Sequence, residues 1–255
     1  MLKALIFDVD GTLADTEELH RQAFNSAFRE LDITCEWSAV EYKRLLEISG
    51  GKERIAQYAE SLEHGSDERI AMLNSASVIH STKTRIYKEL IERGKLPFRP
   101  GVKRLLEEAR GAGLKLAIAT TTTLDNVQAL IDSAWGRNRI GWFDAVGAGD
   151  LVERKKPAPD IYKQVLSTLR VPADECIAFE DSVNGLRAAR AAGLVTVVTP
   201  TKWNFDQNFD GAQLVLPHFG DTGFPFDAET TRRVGASMIG LSELQKLLLS
   251  PQHVA

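Results

Sequence analysis

The sequence predicts an α/β protein: a doubly wound, Rossmann-like parallel sheet with helices on both faces, interrupted near its start by an inserted helical cap. Three observations carry this expectation. Short apolar runs recur along the chain, each bounded by turn or acidic residues, as strands buried on both faces must be. Helical patterns alternate with these runs, the rhythm of a sheet built from βα units. Between the first run and the second, residues 16–96 show helical periodicity and no convincing strand.

The first strand is Ala4 to Val9. The cap follows, with helices expected at Glu17 to Leu31, Ala39 to Glu47, Lys52 to Leu62 and Asp67 to Arg93, the last with a possible break at Ser75 to Ser77. Thr16 is placed to cap the first of them. Hinges fall after Asp15 and at Gly94-Lys95-Leu96-Pro97, where Gly and Pro punctuate the pattern. The core is thus residues 1–15 and 97–255, and the cap residues 16–96. Further strands read at Lys115 to Thr120, Ala145 to Gly147, Cys176 to Phe179 and Val195 to Val198, with Leu214 to Leu216 a weaker sixth. Helices at Val102 to Ala112, Leu124 to Ser133, Pro159 to Leu169 and Val183 to Ala192 alternate with them, and Leu241 to Leu249 closes the chain. Thr201 to Arg232, rich in Asp, Gly, Phe and Pro, has no steady period and suggests no function by itself. In a doubly wound sheet the ligand lies beyond the carboxyl ends of the strands, so functional residues are expected there.

Composition narrows the partners. With 31 basic and 35 acidic residues the net charge is -4, and no long run of like charge supports a nucleic-acid partner. No stretch has the length of a membrane span, and Ala4-Leu5-Ile6-Phe7 is too short for a signal sequence. The two cysteines, Cys35 and Cys176, read as free thiols in a reducing compartment, so a cytoplasmic protein is expected, a monomer or weak dimer.

The strongest chemical signal is Asp8-Val9-Asp10-Gly11-Thr12-Leu13, directly after a buried strand. Two carboxylates in that position need compensation, because buried unpaired charge is costly. A hard divalent cation held by a few carboxylates and substrate oxygens supplies it, and magnesium suits such donors better than zinc does. Taken alone, the pattern would also fit an Asx-type turn eased by Gly11.

Asp8-x-Asp10-Gly11-Thr12-Leu13 resembles the first motif of the haloacid dehalogenase superfamily. The later motifs of that family have counterparts in order: Leu116-Ala117-Ile118-Ala119-Thr120, then Lys156-Pro157, then Phe179-Glu180-Asp181-Ser182. The resemblance implies a phosphotransferase site in which Asp8 attacks phosphorus and carries an aspartyl-phosphate. Asp10 would serve as general acid and base, Thr120 would donate to a phosphoryl oxygen, and Lys156 would offset negative charge. Mg2+ would be held by Asp8, the main-chain carbonyl of Asp10 and Asp181, with Glu180 behind them.

The insert's place between the first and second motifs is similar to that in the subgroup containing phosphoglycolate phosphatase, β-phosphoglucomutase and the CbbY-type sugar bisphosphate phosphatases. Glu17 and His20 lie one helical turn apart and can both face the phosphate site. In Ser49-Gly50-Gly51-Lys52-Glu53-Arg54, two glycines free the backbone beside a helix N-terminus, a place that favours anions, and Lys52 and Arg54 add charge. With Thr120, Thr121, Thr122, Thr123 and Lys156 they form the expected substrate-binding set. These segments are most similar to the CbbY type, which implies xylulose-1,5-bisphosphate as substrate. The residues themselves call for a small-molecule sugar phosphate. A phosphosugar mutase shares the same pattern and remains the alternative, with a non-catalytic binding module of the same fold more remote.

Overall fold

The computed structural model describes residues 1–249. Six parallel strands form one sheet in the order β3-β2-β1-β4-β5-β6: β1 Ala4–Phe7, β2 Lys115–Ala119, β3 Ala145–Gly147, β4 Cys176–Glu180, β5 Val195–Val198 and β6 Leu214–Val215. All four residues of β1 are 0% exposed, which explains why the run is unbrokenly apolar: helices cover both faces. The chain winds outward from β1 through β2 to β3, then returns beside β1 with β4 and continues the other way. The reversal lies at β1 and β4, so the crevice beyond their carboxyl ends is where such a sheet binds ligands.

Helices α5 Val102–Gly111, α6 Leu124–Ala134, α7 Asp160–Leu169 and α8 Val183–Ala191 fill the connections as expected, with bounds within one or two residues of the sequence reading. One apolar cluster packs Leu5, Phe7, Leu116, Ile118 and Phe179 against α5 and α6; another packs Ile6, Ala117 and Ala178 against α7 and α8. The unassigned Thr201 to Arg232 stretch holds a helix the sequence reading missed. It is α9, Ala228–Val234, started by Asp227, whose Oδ1 accepts from the Thr230 amide at 2.7 Å. The last described element is α10, Leu241–Leu249.

Between β1 and α5 lie four helices: α1 Glu17–Glu30, α2 Ala39–Leu45, α3 Gly51–Ser61 and α4 Asp67–Gly94. The possible break at Ser75 to Ser77 does not occur. α4 runs unbroken for 28 residues, about 42 Å at the helical rise. It ends where Lys95 adopts a left-handed conformation (φ 45°). These helices have their own aromatic core, in which Phe24, Phe28, Trp37 and Tyr42 pack ring on ring with Ile55, Met72 and Ile79. One member of that core comes from elsewhere in the chain: Trp203, which follows β5. Among the described residues no helix is long and apolar enough to cross a membrane.

Candidate active site

A cavity lies over the carboxyl ends of β1, β2 and β4, roofed by residues of α1, α3 and α4 and of the turn between α2 and α3. Its floor begins with Asp8, the first residue beyond β1, tied to β4 by its amide donating to the Phe179 carbonyl at 3.0 Å. Lys156 enters from the turn before α7, and its Nζ donates to Asp8 Oδ1 at 2.7 Å, Glu180 Oε1 at 2.6 Å and the Ala119 carbonyl at 2.8 Å. All three ammonium hydrogens are used, so the lysine is fixed in place. Tyr162 of α7 donates to the same Glu180 oxygen at 2.5 Å. The other oxygen, Oε2, is buried without a partner against Gly185 in the first turn of α8. A Cβ at residue 185 would lie 1.7 Å from it, which accounts for glycine there.

The floor is short of positive charge. Asp8, Glu180 and Asp181 can bring carboxylate oxygens within 4.8 Å of one another, and all three are buried. Among the described residues, Lys156 is the ammonium that pairs with this set, meeting both Asp8 and Glu180. Burial pushes the Asp8 carboxyl up, Lys156 pulls it down and Glu180 pushes again, leaving it at about 8. Burial likewise lifts Asp181 well above the ordinary carboxylate range, reinforced by Asp8 and Glu180. Burial opposes the charge on Lys156, yet Asp8 and Glu180 hold its pKa above that of an ordinary lysine. Gly11 (φ 82°) allows the crowding, because a Cβ there would sit 2.2 Å from Asp181 Oδ2.

Asp10 faces the other way. Its Oδ1 accepts from Thr16 Oγ1 at 2.7 Å and meets His20 Nε2 at 2.8 Å, while His20 Nδ1 lies 2.7 Å from Lys83 Nζ. A lysine ammonium can only donate, so Nδ1 accepts and Nε2 carries the hydrogen given to Asp10. Burial would raise the Asp10 carboxyl, but His20, Thr16 and Lys83 together take it below the usual range. Lys83 is itself buried over the rings of Phe24 and Tyr87, and that burial lowers its pKa to about 8.

The roof is held by bonds within the insert. Glu17 Oε2 accepts from the Tyr42 hydroxyl at 2.9 Å, and Arg54 NH1 donates to that hydroxyl at 3.0 Å. Arg54 also donates to the carbonyls of Leu45 and Ile48, at 3.1 Å and 3.3 Å. Three of its five N–H groups are thus placed, and the residue lines the cavity.

Comparison with known proteins settles the lineage. The sequence pattern of the haloacid dehalogenase-like hydrolases matches residues 2–193. The chain belongs to that family. This hydrolase is 50% identical over 224 residues to the plasmid-encoded CbbY of Cupriavidus necator, covering 88% of each chain. It also resembles the crystal structure of CbbY from Rhodobacter sphaeroides in complex with phosphate, with a TM-score of 0.80 at 43% identity, over 88% of this chain and 97% of that one. A mutant of that CbbY in complex with xylulose-1,5-bisphosphate gives a TM-score of 0.81 at the same identity and coverage. The hydrolase is an enzyme of this family in both fold and sequence.

Nearly all of the residues singled out by sequence line the one cavity: Asp8, Asp10, Glu17, His20, Ser49, Gly50, Gly51, Arg54, Thr120 to Thr123, Lys156, Glu180 and Asp181. Two expectations need correction. Lys52 is exposed and outside the lining, because Gly51 and Arg54 are one turn apart on the inner face of α3 while Lys52 is rotated about 100° from Gly51. Thr16 does not cap α1 with its side chain, since its hydroxyl is given to Asp10 instead. The sequence reading missed Lys83, Tyr42, Asn126, Trp203, Asn204 and Gln207. Of these, Asn204 donates to Asp181 Oδ2 at 2.7 Å.

The donor set fits a divalent metal. It offers hard carboxylate oxygens, it is underneutralised, and burial, reinforced by neighbouring carboxylates, raises Asp8 and Asp181 toward protonation, a condition a cation would relieve. The Asp10 carboxylate lies outside this cluster, engaged by Thr16 and His20, which leaves its main chain as the part that can face a metal.

Proposed function

We propose that this hydrolase is a magnesium-dependent sugar-phosphate phosphatase working through an aspartyl-phosphate on Asp8. We further propose that its substrate is a sugar bisphosphate such as xylulose-1,5-bisphosphate, converted to xylulose 5-phosphate and phosphate. The observation that carries the reading is the separation of Asp8 from Asp10: two residues apart in sequence, one pinned by Lys156 and the other by Thr16 and His20. A nucleophile and an acid/base are thereby held by independent partners beside one cavity.

In the first step an Asp8 oxygen bonds to phosphorus, the ester P–O bond breaks, and the leaving oxygen takes a proton from Asp10. In the second, water attacks phosphorus, Asp10 takes its proton, and the bond from phosphorus to Asp8 breaks to release phosphate. The low pKa of Asp10 in this state suits the base step. An incoming phosphate dianion raises its proton affinity, as like charge does, which suits the acid step. Mg2+, held by Asp8, Asp181 and the Asp10 carbonyl with Glu180 behind, would neutralise the phosphoryl oxygens. Lys156 contributes the second positive charge and Thr120 a hydrogen-bond donor. Residues 16–96, with helices α1 to α4, act as a cap over the strand ends, with Ser49 to Gly51 and Arg54 holding the end of the substrate that is remote from Asp8. The complex of xylulose-1,5-bisphosphate with a CbbY mutant supports the choice of substrate.

The test is phosphate release with Mg2+ across a panel of sugar mono- and bisphosphates, with isomerisation of β-glucose 1-phosphate followed in parallel. Release greatest on a pentulose bisphosphate is expected. Isomerisation without release would replace the phosphatase by a mutase.

A further inference from the structure

The turn after β5 touches both the acidic cluster and the inserted helices. Its Asn204 is fixed at both ends of the amide: Oδ1 accepts from the Thr201 amide at 2.7 Å, and Nδ2 donates to Asp181 Oδ2 at 2.7 Å. The partners are an obligate donor and an acceptor, so the orientation of this amide is unambiguous. Gln207 in the same turn accepts from the Val183 amide at 2.9 Å, holding the segment that carries Asp181 from its other side.

Trp203, the preceding residue, points the opposite way. It is buried in the aromatic core of the insert, edge-on to Tyr42 at 5.6 Å between centroids. Asp206 pairs with Lys43 of α2 at 2.7 Å, and Lys43 also lies over the Phe205 ring. The turn is therefore anchored in the insert by one residue and in the acidic cluster by the next.

We propose that Trp203 and Asn204 form a bridge through which the position of the inserted helices sets the orientation of Asp181, so that metal binding tightens when the insert is seated. Asn204 is a positioning residue: it acts through Asp181. The proposal rests on the reading of Asp181 as a metal ligand. When the insert lifts, Trp203 loses its ring contact, the turn gains freedom, and Asp181 loses a fixed donor. A carboxylate free to rotate binds the metal less tightly, because the ordering is then done at the moment of binding.

The experiment is calorimetric titration of Mg2+ into the full-length, substrate-free enzyme, with thermal melting of each variant to verify folding. Asn204→Leu, close in size but without either hydrogen bond, is expected to weaken Mg2+ binding about tenfold. Trp203→Ala, which leaves Asn204 and Asp181 intact, should weaken it about threefold, a magnitude usual for coupling through a packed contact. Trp203→Phe refills the ring contact and should bind as the wild type does. The double variant should be no weaker than Asn204→Leu alone, since both act through one connection, and additive losses would overturn the bridge. Asp181→Asn separates the two claims. If it loses Mg2+ binding while Asn204→Leu keeps wild-type affinity, the bridge is wrong and Asp181 remains a ligand; if Asp181→Asn also binds normally, the metal assignment itself is wrong and the bridge falls with it.

Discussion

The floor and the roof of the cavity are built on different principles. On the floor, Asp8, Lys156 and Glu180 hold one another, and each stands at a strand end or a turn anchored to the sheet. In the roof, Arg54 and Glu17 are held through Tyr42 and main-chain carbonyls, on helices that pack around rings. Charge on the floor is mutually dependent, so one substitution strands the others in a dry setting. In the roof the bonds of Arg54 go to a hydroxyl and to main-chain carbonyls, none of which carries a charge.

Substitutions test that contrast. Asp8→Asn removes the proposed nucleophile and is expected to lower kcat by at least about 10⁴-fold while the protein still folds; near-normal turnover would remove the covalent mechanism. Lys156→Met leaves Asp8 and Glu180 buried without their cation, and should cost about 3–5 kcal/mol of stability, read by denaturant unfolding, as well as activity. Lys83 lies between floor and roof. With its pKa lowered to about 8 by burial, it is a full cation only on the acid side of that value and loses its charge as pH rises through it. The wild-type kcat profile should fall on the alkaline side near 8, and Lys83→Met, roughly tenfold slower, should lack that arm. An unchanged arm in the variant would detach Lys83 from Asp10. Arg54→Lys loses the planar fork and should raise KM about tenfold with little change in kcat. Lys52→Ala, outside the cavity, should stay within about twofold on mono- and bisphosphates alike.

The floor was legible because its residues violate their surroundings. Asp8 and Asp10 after an apolar run, and Glu180-Asp181 after another, are anomalies that periodicity exposes. The strand ends then assemble them through the parallel order of the sheet. Lys83 offered no such signal: it is one polar residue in a 28-residue helix rich in them, and burial over Phe24 and Tyr87 makes it special. Asn204 and Trp203 were hidden for a related reason, since their meaning comes from partners at positions 181 and 42. Lys52 misled because basic character was read without the helical phase that turns Arg54 inward. For α9 a local clue did exist, Asp227 three residues before Thr230, but it was obscured by the absence of a clear apolar period.

Arg99, just beyond the second hinge, has a consequence for how the protein could be remade. Its amide donates to the Leu13 carbonyl at 2.8 Å, and its guanidinium donates to the Gly11 carbonyl and to those of Thr199, Pro200 and Pro217. The chain leaving the sheet at Leu13 and the chain returning at Arg99 are therefore fastened side by side to the same part of the core. From the standpoint of the sheet, the four helices are an excursion that departs from and returns to one point. Another excursion of different length could be grafted there with the register of β1 and β2 unchanged, provided that it again supplied Asp10 with the partners that Thr16, His20 and Lys83 now give it.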